Sequence, residues 1–228
     1  MKIGSPAWCQ MISDGISAFD LKLDIDQMIQ LATHAETLVQ WNTKVNLTSI
    51  TRPVDIAVKH MIDSLIPASY LHQSCTLLDI GSGGGFPGIP IKVIRPDIKI
   101  TLIDASRKRT SFLNHVIRLL KLDHARAIHI RAEELIKDDG FKNAFDVVVC
   151  RALTSIDKFV QMAVPFLKKG GMMIALKGKR AEIQEEINLM AGPEDNPAST
   201  GLVRNHTCSI KHYSLPFINS ERSLLILK

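Results

Sequence analysis

Residues 77–92 read LLDIGSGGGFPGIPIK, an apolar run that contains one acid and leads into five glycines within eight residues. So many missing side chains, placed directly after a short apolar segment, indicate that a ligand comes close to the backbone there. The stretch therefore predicts a buried strand, a ligand-binding loop and the start of a helix. Which ligand the loop accepts depends on the residues around it.

From Thr76 onward, short apolar runs alternate with helical patterns. Strands are predicted at residues 76–80, 98–104, 125–132, 145–152 and 168–178, with two more near 202–215 and 221–228. Helices are predicted at residues 87–94, 107–122, 155–167 and 180–190. This alternation predicts an α/β fold with a doubly wound, mainly parallel seven-stranded sheet and helices on both faces. The short polar connection PFINS between the last two strands predicts that the last strand is antiparallel.

The first seventy residues have a different pattern. Apolar residues recur at helical spacing after Asp24, a plausible N-cap, and a second helix is predicted from Pro53. We therefore predict an N-terminal helical cap over residues 1–70 and an α/β core over residues 71–228. The role of the first forty residues is left open.

Composition limits the classes of protein to consider. Hydrophobic residues make up 46% and charged residues 22% of the 228, which favours a globular chain over a disordered one. The sequence shows neither an apolar run of membrane-spanning length nor a secretory pattern at the N-terminus, so a cytoplasmic protein is expected. Four scattered cysteines without a CxxC pair argue against disulfides and a zinc site, and we predict no metal. A formal charge of +5 is compatible with a nucleic-acid partner but does not require one.

Loops of this kind bind three classes of ligand: nucleotide phosphates in P-loops, dinucleotides, and S-adenosyl-L-methionine. A P-loop is excluded because no Lys-Ser/Thr pair follows the last glycine. A dinucleotide fingerprint can be drawn as Gly83-x-Gly85-x-x-Gly88 with Asp104 as the ribose acid. Asp79, however, places a carboxylate just before the loop, where it would repel a pyrophosphate.

For S-adenosyl-L-methionine the same carboxylate would be favourable, because this ligand carries a sulfonium and an ammonium group and no phosphate. Gly81, Gly83 and Gly85 would leave room for its methionine and ribose parts. Asp104, at the end of the second strand, would accept both ribose hydroxyls, and RAEEL at residues 131–135 would border the adenine. The alternative is that the glycines serve only the turn and Asp104 is a helix N-cap.

With these residues in place, the chain resembles the ribosomal RNA small subunit methyltransferase G family, also called glucose-inhibited division protein B. The resemblance runs from about Trp41 to the C-terminus through WNTKVNLTSI, HMIDSL, the glycine loop with FPGIP, TLIDASRKRTSFLNHV, RAEEL, FDVVVCRAL and GGMMIALKGK. It implies a Rossmann-like methyltransferase fold and methylation of N7 of a guanine in the 530 loop of 16S rRNA, with S-adenosyl-L-homocysteine as product. It also implies cofactor contacts, which fall on Gly81, Phe86, Ala132, Glu133 and Arg151, with Asp104 and Ser106 matching the second-strand acid and the segment after it.

The residues after the fourth strand agree with an N7 acceptor. Exocyclic amine methylation relies on a (D/N)PP(Y/F/W) motif, which VVCRALTS lacks, and Cys150 follows Val149 instead of the proline usual for a cysteine nucleophile. We interpret Cys150 as a buried small hydrophobe. Guanine N7 carries no proton, so no general base is predicted. In-line positioning would lower the barrier instead, with Arg151 as the positioning group.

Several cations are predicted to meet RNA at the carboxyl edge of the sheet, although each of them is equally compatible with a solvated surface charge. They are Arg107, Lys108, Arg109, Lys177, Lys179, Arg180 and Arg222. His60 and Asp63 share one face of a cap helix, which favours a hydrogen bond on the helix surface or from cap to core over a metal site. Asn46 and Thr48 are expected to shape the entrance to the cofactor pocket.

The predicted function is thus methyl transfer from S-adenosyl-L-methionine to small-subunit rRNA by a monomer. Two alternatives stay open. A small-molecule methyltransferase would act without rRNA, and a non-catalytic nucleotide-binding protein would keep the pocket without chemistry.

Overall fold

A computed structural model describes residues 1–151, 155–178, 180, 183, 186 and 207–228. Seven strands form one sheet in the order β3-β2-β1-β4-β5-β7-β6. The strands are β1 (Thr76–Ile80), β2 (Lys99–Asp104), β3 (Ala125–His129), β4 (Phe145–Arg151), β5 (Leu167–Lys177), β6 (Cys208–Leu215) and β7 (Ser220–Leu227).

The sheet has the predicted mixed direction. Strand β1 pairs in parallel with β2 on one side and β4 on the other, and β3 and β5 extend the parallel part. Strand β7 is antiparallel to both β5 and β6, between which it lies. The winding direction therefore reverses at β1, and α/β sheets bind ligands at the carboxyl ends of the strands at such a point. The predicted fold class is confirmed.

Local sequence signals explain most helix boundaries. The helices are α1 (Pro6–Ser17), α2 (Ile25–Asn42), α3 (Pro53–Asp55), α4 (Asp63–Leu65), α5 (Gly88–Ile94), α6 (Arg107–Leu119), α7 (Ala132–Leu135) and α8 (Ile156–Ala163). A π-helical segment (Ile56–Ile62) joins α3 to α4, and a 3₁₀ turn (Ile66–Tyr70) follows, so that residues 53–70 form one helical run, here called the cap segment. Asp24 forms a capping box with Gln27 at the start of α2. Proline in a 3₁₀ turn (Val164–Phe166) ends α8 earlier than predicted.

Helix α1 was not predicted from the sequence. Ser5 caps its first turn, Pro6 occupies the first helical position, and the buried Trp8 donates from its indole nitrogen to the carbonyl of Pro53 at 3.0 Å. Gly15 packs so closely on the cap segment that a Cβ there would lie 2.4 Å from Ile62 Cδ1. The first forty residues therefore contribute buried side chains to the hydrophobic core.

Both faces of the sheet are covered by hydrophobic clusters. Leu77 and alternate residues of the central strands pack under α1, α2, α5, α6 and the cap segment, whereas Leu78 and its neighbours pack against α7 and α8. Because one cluster joins the first seventy residues to the sheet, cap and core share buried surface, and their division at residue 70 stays a prediction. No helix among the described residues is long and apolar enough to cross a membrane.

Two predicted segments extend beyond the described residues. Residues 180, 183 and 186 are helical, as expected for a helix over 180–190, and the other residues of the predicted helix lie outside the described residues. The same holds for residues 202–206, the start of the predicted sixth strand, whose described part begins at Cys208.

Candidate active site

The glycine loop leaves β1 and crosses the carboxyl end of β2. The backbone amides of Gly81 and Ser82 both donate to the carbonyl of Ile103, at 2.9 and 3.1 Å. Gly81, Gly83 and Gly85 have φ of +73°, +55° and +88°, which residues with a Cβ rarely adopt. A Cβ on Gly83 would find no atom closer than Gly81 O at 3.9 Å, so Gly83 borders open space. The loop therefore has room for a ligand at its centre.

Asp104 holds the loop from β2. Its Oδ2 accepts from the Gly83 amide at 2.9 Å, and its Oδ1 accepts from the Ser106 amide at 2.8 Å. Each carboxylate oxygen has a second lone pair available for a hydroxyl. The N-cap of α6 is Ser106, whose hydroxyl accepts from Arg109 N, so the alternative of Asp104 as the cap is wrong. Arg109 Nη1 lies 3.8 Å from Asp104 Oδ2.

Asp79 lies beneath the loop and is fully buried. Its Oδ2 accepts from the Gly88 amide at 3.0 Å, at the start of α5, whereas its Oδ1 is buried without a partner in the described structure. Burial raises the pKa of this carboxyl to about 7. The predicted cofactor acid is thus an internal group that is able to gain or lose a proton near neutral pH.

Phe86 lies between two histidine rings under the cap. It is 4% exposed, and its ring centroid lies 4.3 Å from that of His60 and 4.8 Å from that of His34. His34 Nε2 donates to the carbonyl of Gly84 at 2.8 Å. Burial lowers the pKa of His34 to about 4 and, with the nearby Arg151 charge, that of His60 to about 3. Both imidazoles are therefore neutral at physiological pH.

Arg151 ends β4 and reaches the cap segment. Its guanidinium donates to the carbonyl of Lys59 and to His60 Nδ1, each at 2.9 Å, and its Cζ lies 4.8 Å from the centre of the Phe86 ring. His60 completes its bonds by donating from Nε2 to Thr48 Oγ1 at 2.8 Å. Thr48 thus orders the loop before the cap segment, and Arg151 connects sheet, cap and glycine loop.

Asp63 lies behind Arg151 in the same polar cluster. Its Oδ2 is 3.8 Å from Arg151 Nη1, and its Oδ1 accepts from the Tyr213 hydroxyl at 2.8 Å. Burial raises the pKa of Asp63 above the usual value for aspartate. His60 and Asp63 therefore make the predicted hydrogen bonds from cap to core. No group of residues suited to a metal ion occurs in the part of the chain that the structure describes.

Ala132 and Glu133 lie at the start of α7, next to the end of β2, where Ile130 N donates to Asp104 O at 3.2 Å. Between α7 and α8 there is a cavity of about 560 Å³. Its lining residues are Ala132, Glu133, Ile136, Lys158, Gln161, Met162 and Pro165. The predicted adenine contacts thus border a space of ligand size.

The cations predicted to meet RNA fall into two groups. Arg107 and Lys108 are exposed at the start of α6, and Arg180 is also exposed. Lys177 is paired with Glu186 at 3.1 Å, and Arg222 donates to Ser220 Oγ and Glu221 O. The second group is therefore engaged within the protein, and Lys179 lies outside the described residues.

Two residues of the buried cluster around Phe86 and Arg151 were not predicted from the sequence, namely His34 and Tyr213. His34 lies between buried Leu31, Ala35 and Leu38 on α2, and one polar residue on an apolar face is a signal for a buried hydrogen bond. Tyr213 has no comparable local signal, because its partner Asp63 is 150 residues away in the chain. Cys150 is buried, as predicted, and burial raises its thiol pKa well above the usual value.

Comparison with solved structures supports the fold alone. A SAM-dependent methyltransferase from Aquifex aeolicus superposes with a TM-score of 0.55 at 12% identity, over 80% of this chain and 96% of the other. Fibrillarin from Aeropyrum pernix, solved with S-adenosyl-L-methionine, gives 0.52 at 14% identity over 68% of this chain and 67% of that one.

Sequence comparison is more specific. The family model described as rRNA small subunit methyltransferase G (GidB) matches residues 27–195. Ribosomal RNA small subunit methyltransferase G of Desulfitobacterium hafniense is 45% identical over 74% of this chain and 69% of its own length. The protein of the same name from a Geobacter species is 38% identical over 96% of both chains. The resemblance inferred from the motifs is thereby confirmed, and the chain belongs to the rRNA small subunit methyltransferase G family.

Proposed function

We propose that this protein transfers a methyl group from S-adenosyl-L-methionine to N7 of a guanine in the 530 loop of 16S rRNA and releases S-adenosyl-L-homocysteine. The observation that carries the proposal is Asp104 at the glycine loop. Its carboxylate holds the Gly83 and Ser106 amides and keeps one lone pair on each oxygen, which suits the two ribose hydroxyls of the cofactor. Asp79 was expected to face the ligand, but it is fully buried beneath the loop and supports the loop from below.

The residues present fit this cofactor. Asp104 would receive the ribose hydroxyls, Gly81, Gly83 and Gly85 would lie against the ribose and methionine parts, and Ala132 and Glu133 would border the adenine. Ser106 would hold the backbone beside Asp104, and Phe86 and Arg151 would form the wall toward the cap. When bound, S-adenosyl-L-methionine supplies an electrophilic methyl group on a sulfonium centre.

The chain's own residues then have to hold geometry and exclude water. The N7 atom of guanine has a free lone pair and loses no proton on methylation, so the reaction needs no general base. His34 and His60 are neutral; His34 is hydrogen-bonded through Nε2 and His60 through both ring nitrogens, which suits a structural role. Alignment of this kind is worth roughly 7–11 kcal/mol when the reacting atoms are held in line.

The proposal includes four further points. We assign residues 1–70 to a helical cap and residues 71–228 to the catalytic core. We expect a monomer, and we expect a cytoplasmic location because ribosomal subunits are assembled there. Arg107, Lys108, Arg109, Lys177, Lys179, Arg180 and Arg222 remain proposed RNA contacts.

The test is transfer of a radiolabelled methyl group to three acceptors: 30S subunits lacking the modification, naked 16S rRNA and free nucleotides. Transfer to either rRNA substrate, with the label mapped to guanine N7 by mass spectrometry, is expected. Transfer to a small molecule without dependence on rRNA would favour the first alternative. Cofactor binding without transfer to any acceptor would favour a non-catalytic binding protein. Label on another rRNA nucleotide would overturn the proposed site while leaving the enzyme class intact.

A further inference from the structure

Helix α6 has one apolar face and one cationic face. Its thirteen residues, RKRTSFLNHVIRL, include no acid. Thr110, Phe112, Leu113, Val116 and Ile117 are buried against the sheet. Arg107, Lys108 and Arg118 are exposed. At 3.6 residues per turn these cations share the solvent side of the helix, and the first acid after it is Asp123.

The end of α2 extends this surface with an aromatic ring. Trp41 is half-buried, and its ring centroid lies 5.2 Å from that of His115 and 5.6 Å from that of Phe112, both on α6. Lys44 is exposed one turn further along the chain. A cavity of about 460 Å³ is lined by Gln40, Trp41, Lys44 and Val45. An accessible indole thus lies beside cations and next to open space.

This surface is continuous with the candidate active site. Helix α6 begins at Arg107, directly after its N-cap Ser106, whose amide donates to Asp104. With a rise of about 1.5 Å per residue, its thirteen residues extend roughly 20 Å away from the carboxyl edge of the sheet. A polyanion bound at the methyl-transfer edge could therefore continue along α6 without crossing an acidic residue of that helix.

We propose that the outer face of α6, together with Trp41 and Lys44, binds the RNA strand that leads away from the target nucleotide. Lys108, Arg118 and Lys44 contact its phosphates, and Trp41 stacks on one unpaired base in the adjacent cavity. Charge complementarity favours a polyanion, and the accessible indole favours one with bases, since single-stranded nucleic acid is held by cations along the backbone and aromatic rings under the bases. The inference rests on the proposed function and extends its substrate contact beyond the residues of the catalytic edge.

The first experiment compares two double variants. Lys44→Gln/Arg118→Gln removes two cations of the proposed surface. Lys99→Gln/Lys169→Gln removes two exposed cations that lie on strands of the sheet and outside this surface, and it serves as the matched control. Binding to unmodified 16S rRNA is measured between about 50 and 200 mM salt, and S-adenosyl-L-methionine affinity is measured by calorimetry.

Each lost phosphate contact is expected to reduce the slope of log K against log salt by about 0.7, and therefore by about 1.4 for the first variant. The loss of RNA affinity should therefore be about sevenfold larger at 50 mM than at 200 mM salt, with unchanged cofactor affinity, while the control retains the wild-type slope. Equal slopes for the two variants would refute the surface.

The second experiment uses Trp41 as a reporter. The chain has two tryptophans, and Trp8 is fully buried, so acrylamide quenching of the fluorescence reports chiefly on Trp41. We expect 16S rRNA to protect Trp41 from acrylamide and polyglutamate to leave it accessible. Equal protection by polyglutamate would indicate an acidic protein partner instead, and absence of protection by RNA would remove Trp41 from the interface.

The two proposals fail separately. If wild-type protein methylates 16S rRNA but both surface tests give control values, the α6 surface is wrong and the proposed function stands. If RNA protects Trp41 and the salt slope depends on Lys44 and Arg118 but no methyl group is transferred, the surface stands and the proposed function is wrong.

Discussion

Asp104→Ala gives the most direct test of the cofactor site. In the structure each carboxylate oxygen of Asp104 accepts one backbone amide, from Gly83 and Ser106, and so retains one lone pair for a ribose hydroxyl. Hydrogen bonds to a charged group contribute about 1.5–3 kcal/mol each. Loss of two such bonds to the ligand is expected to weaken S-adenosyl-L-methionine binding by about 3 kcal/mol, roughly a hundredfold in Kd.

The same substitution has a cost in stability that must be separated from binding. The Gly83 and Ser106 amides lose their acceptor, which is expected to lower the free energy of unfolding by about 2 kcal/mol. Asp97→Ala is a suitable control, because Asp97 Oδ2 accepts the Ser74 amide at 2.7 Å at the other edge of the sheet. It should lose stability without a change in cofactor affinity.

The assay is calorimetric titration of both variants with S-adenosyl-L-methionine, accompanied by urea unfolding. Wild-type affinity in Asp104→Ala would refute the assignment of Asp104 to the ribose. A similar loss of affinity in Asp97→Ala would show that binding responds to general destabilisation instead of the lost carboxylate.

Three further predictions concern the loop and the buried cluster. Gly83 and Gly170 have φ of +55° and +77°, and a Cβ at either position would have no close neighbour, so Gly83→Ala and Gly170→Ala introduce the same kind of backbone strain. Each variant should lose about 1 kcal/mol of unfolding free energy. Calorimetry should show weaker cofactor binding for Gly83→Ala only. The folded-state pKa of Asp79, about 7, exceeds its unfolded value of 3.8, so the unfolded state releases this proton first and stability falls as pH rises. Urea unfolding should show that the wild-type free energy of unfolding falls by about 3 kcal/mol between pH 5 and pH 8 relative to that of Asp79→Asn. Parallel pH profiles of the two proteins would contradict this. Tyr213→Phe removes the bond to Asp63 Oδ1 and should lower the free energy of unfolding by about 2 kcal/mol, whereas a change below about 0.5 kcal/mol would mean that this bond contributes little.

The sequence predicted that Asp79 and Asp104 lie at the ends of neighbouring strands, because strand ends are local features. Asp79 and Asp104 each end or nearly end an apolar run, and parallel strands bring such ends together at one edge. Helix α1 also had a signal, since Ser5 and Pro6 mark a helix start and Trp8, Ile12 and Ile16 recur at helical spacing.

The protonation state of Asp79 was not predictable from the sequence in the same way. The sequence suggested that Asp79 presents its charge to a ligand, but burial depends on how α5 and the loop cover it. In the structure Asp79 is fully buried, and burial raises the pKa of its carboxyl to about 7. The carboxyl is therefore only partly ionised at neutral pH. Likewise, the bond between Tyr213 and Asp63 depends on packing the last hairpin against the cap segment, which no local pattern specifies.

The buried cluster links the proposed cofactor loop to the cap through Arg151. The Arg151 guanidinium donates to His60 Nδ1, which accepts only while the imidazole is unprotonated, so the burial that keeps the pKa of His60 near 3 also maintains this bond. Phe86 stacks on His60 and lies beside the same guanidinium. A ligand that changes the position of Phe86 must therefore also change the surroundings of Arg151, because the loop, the cap segment and β4 meet at these three side chains.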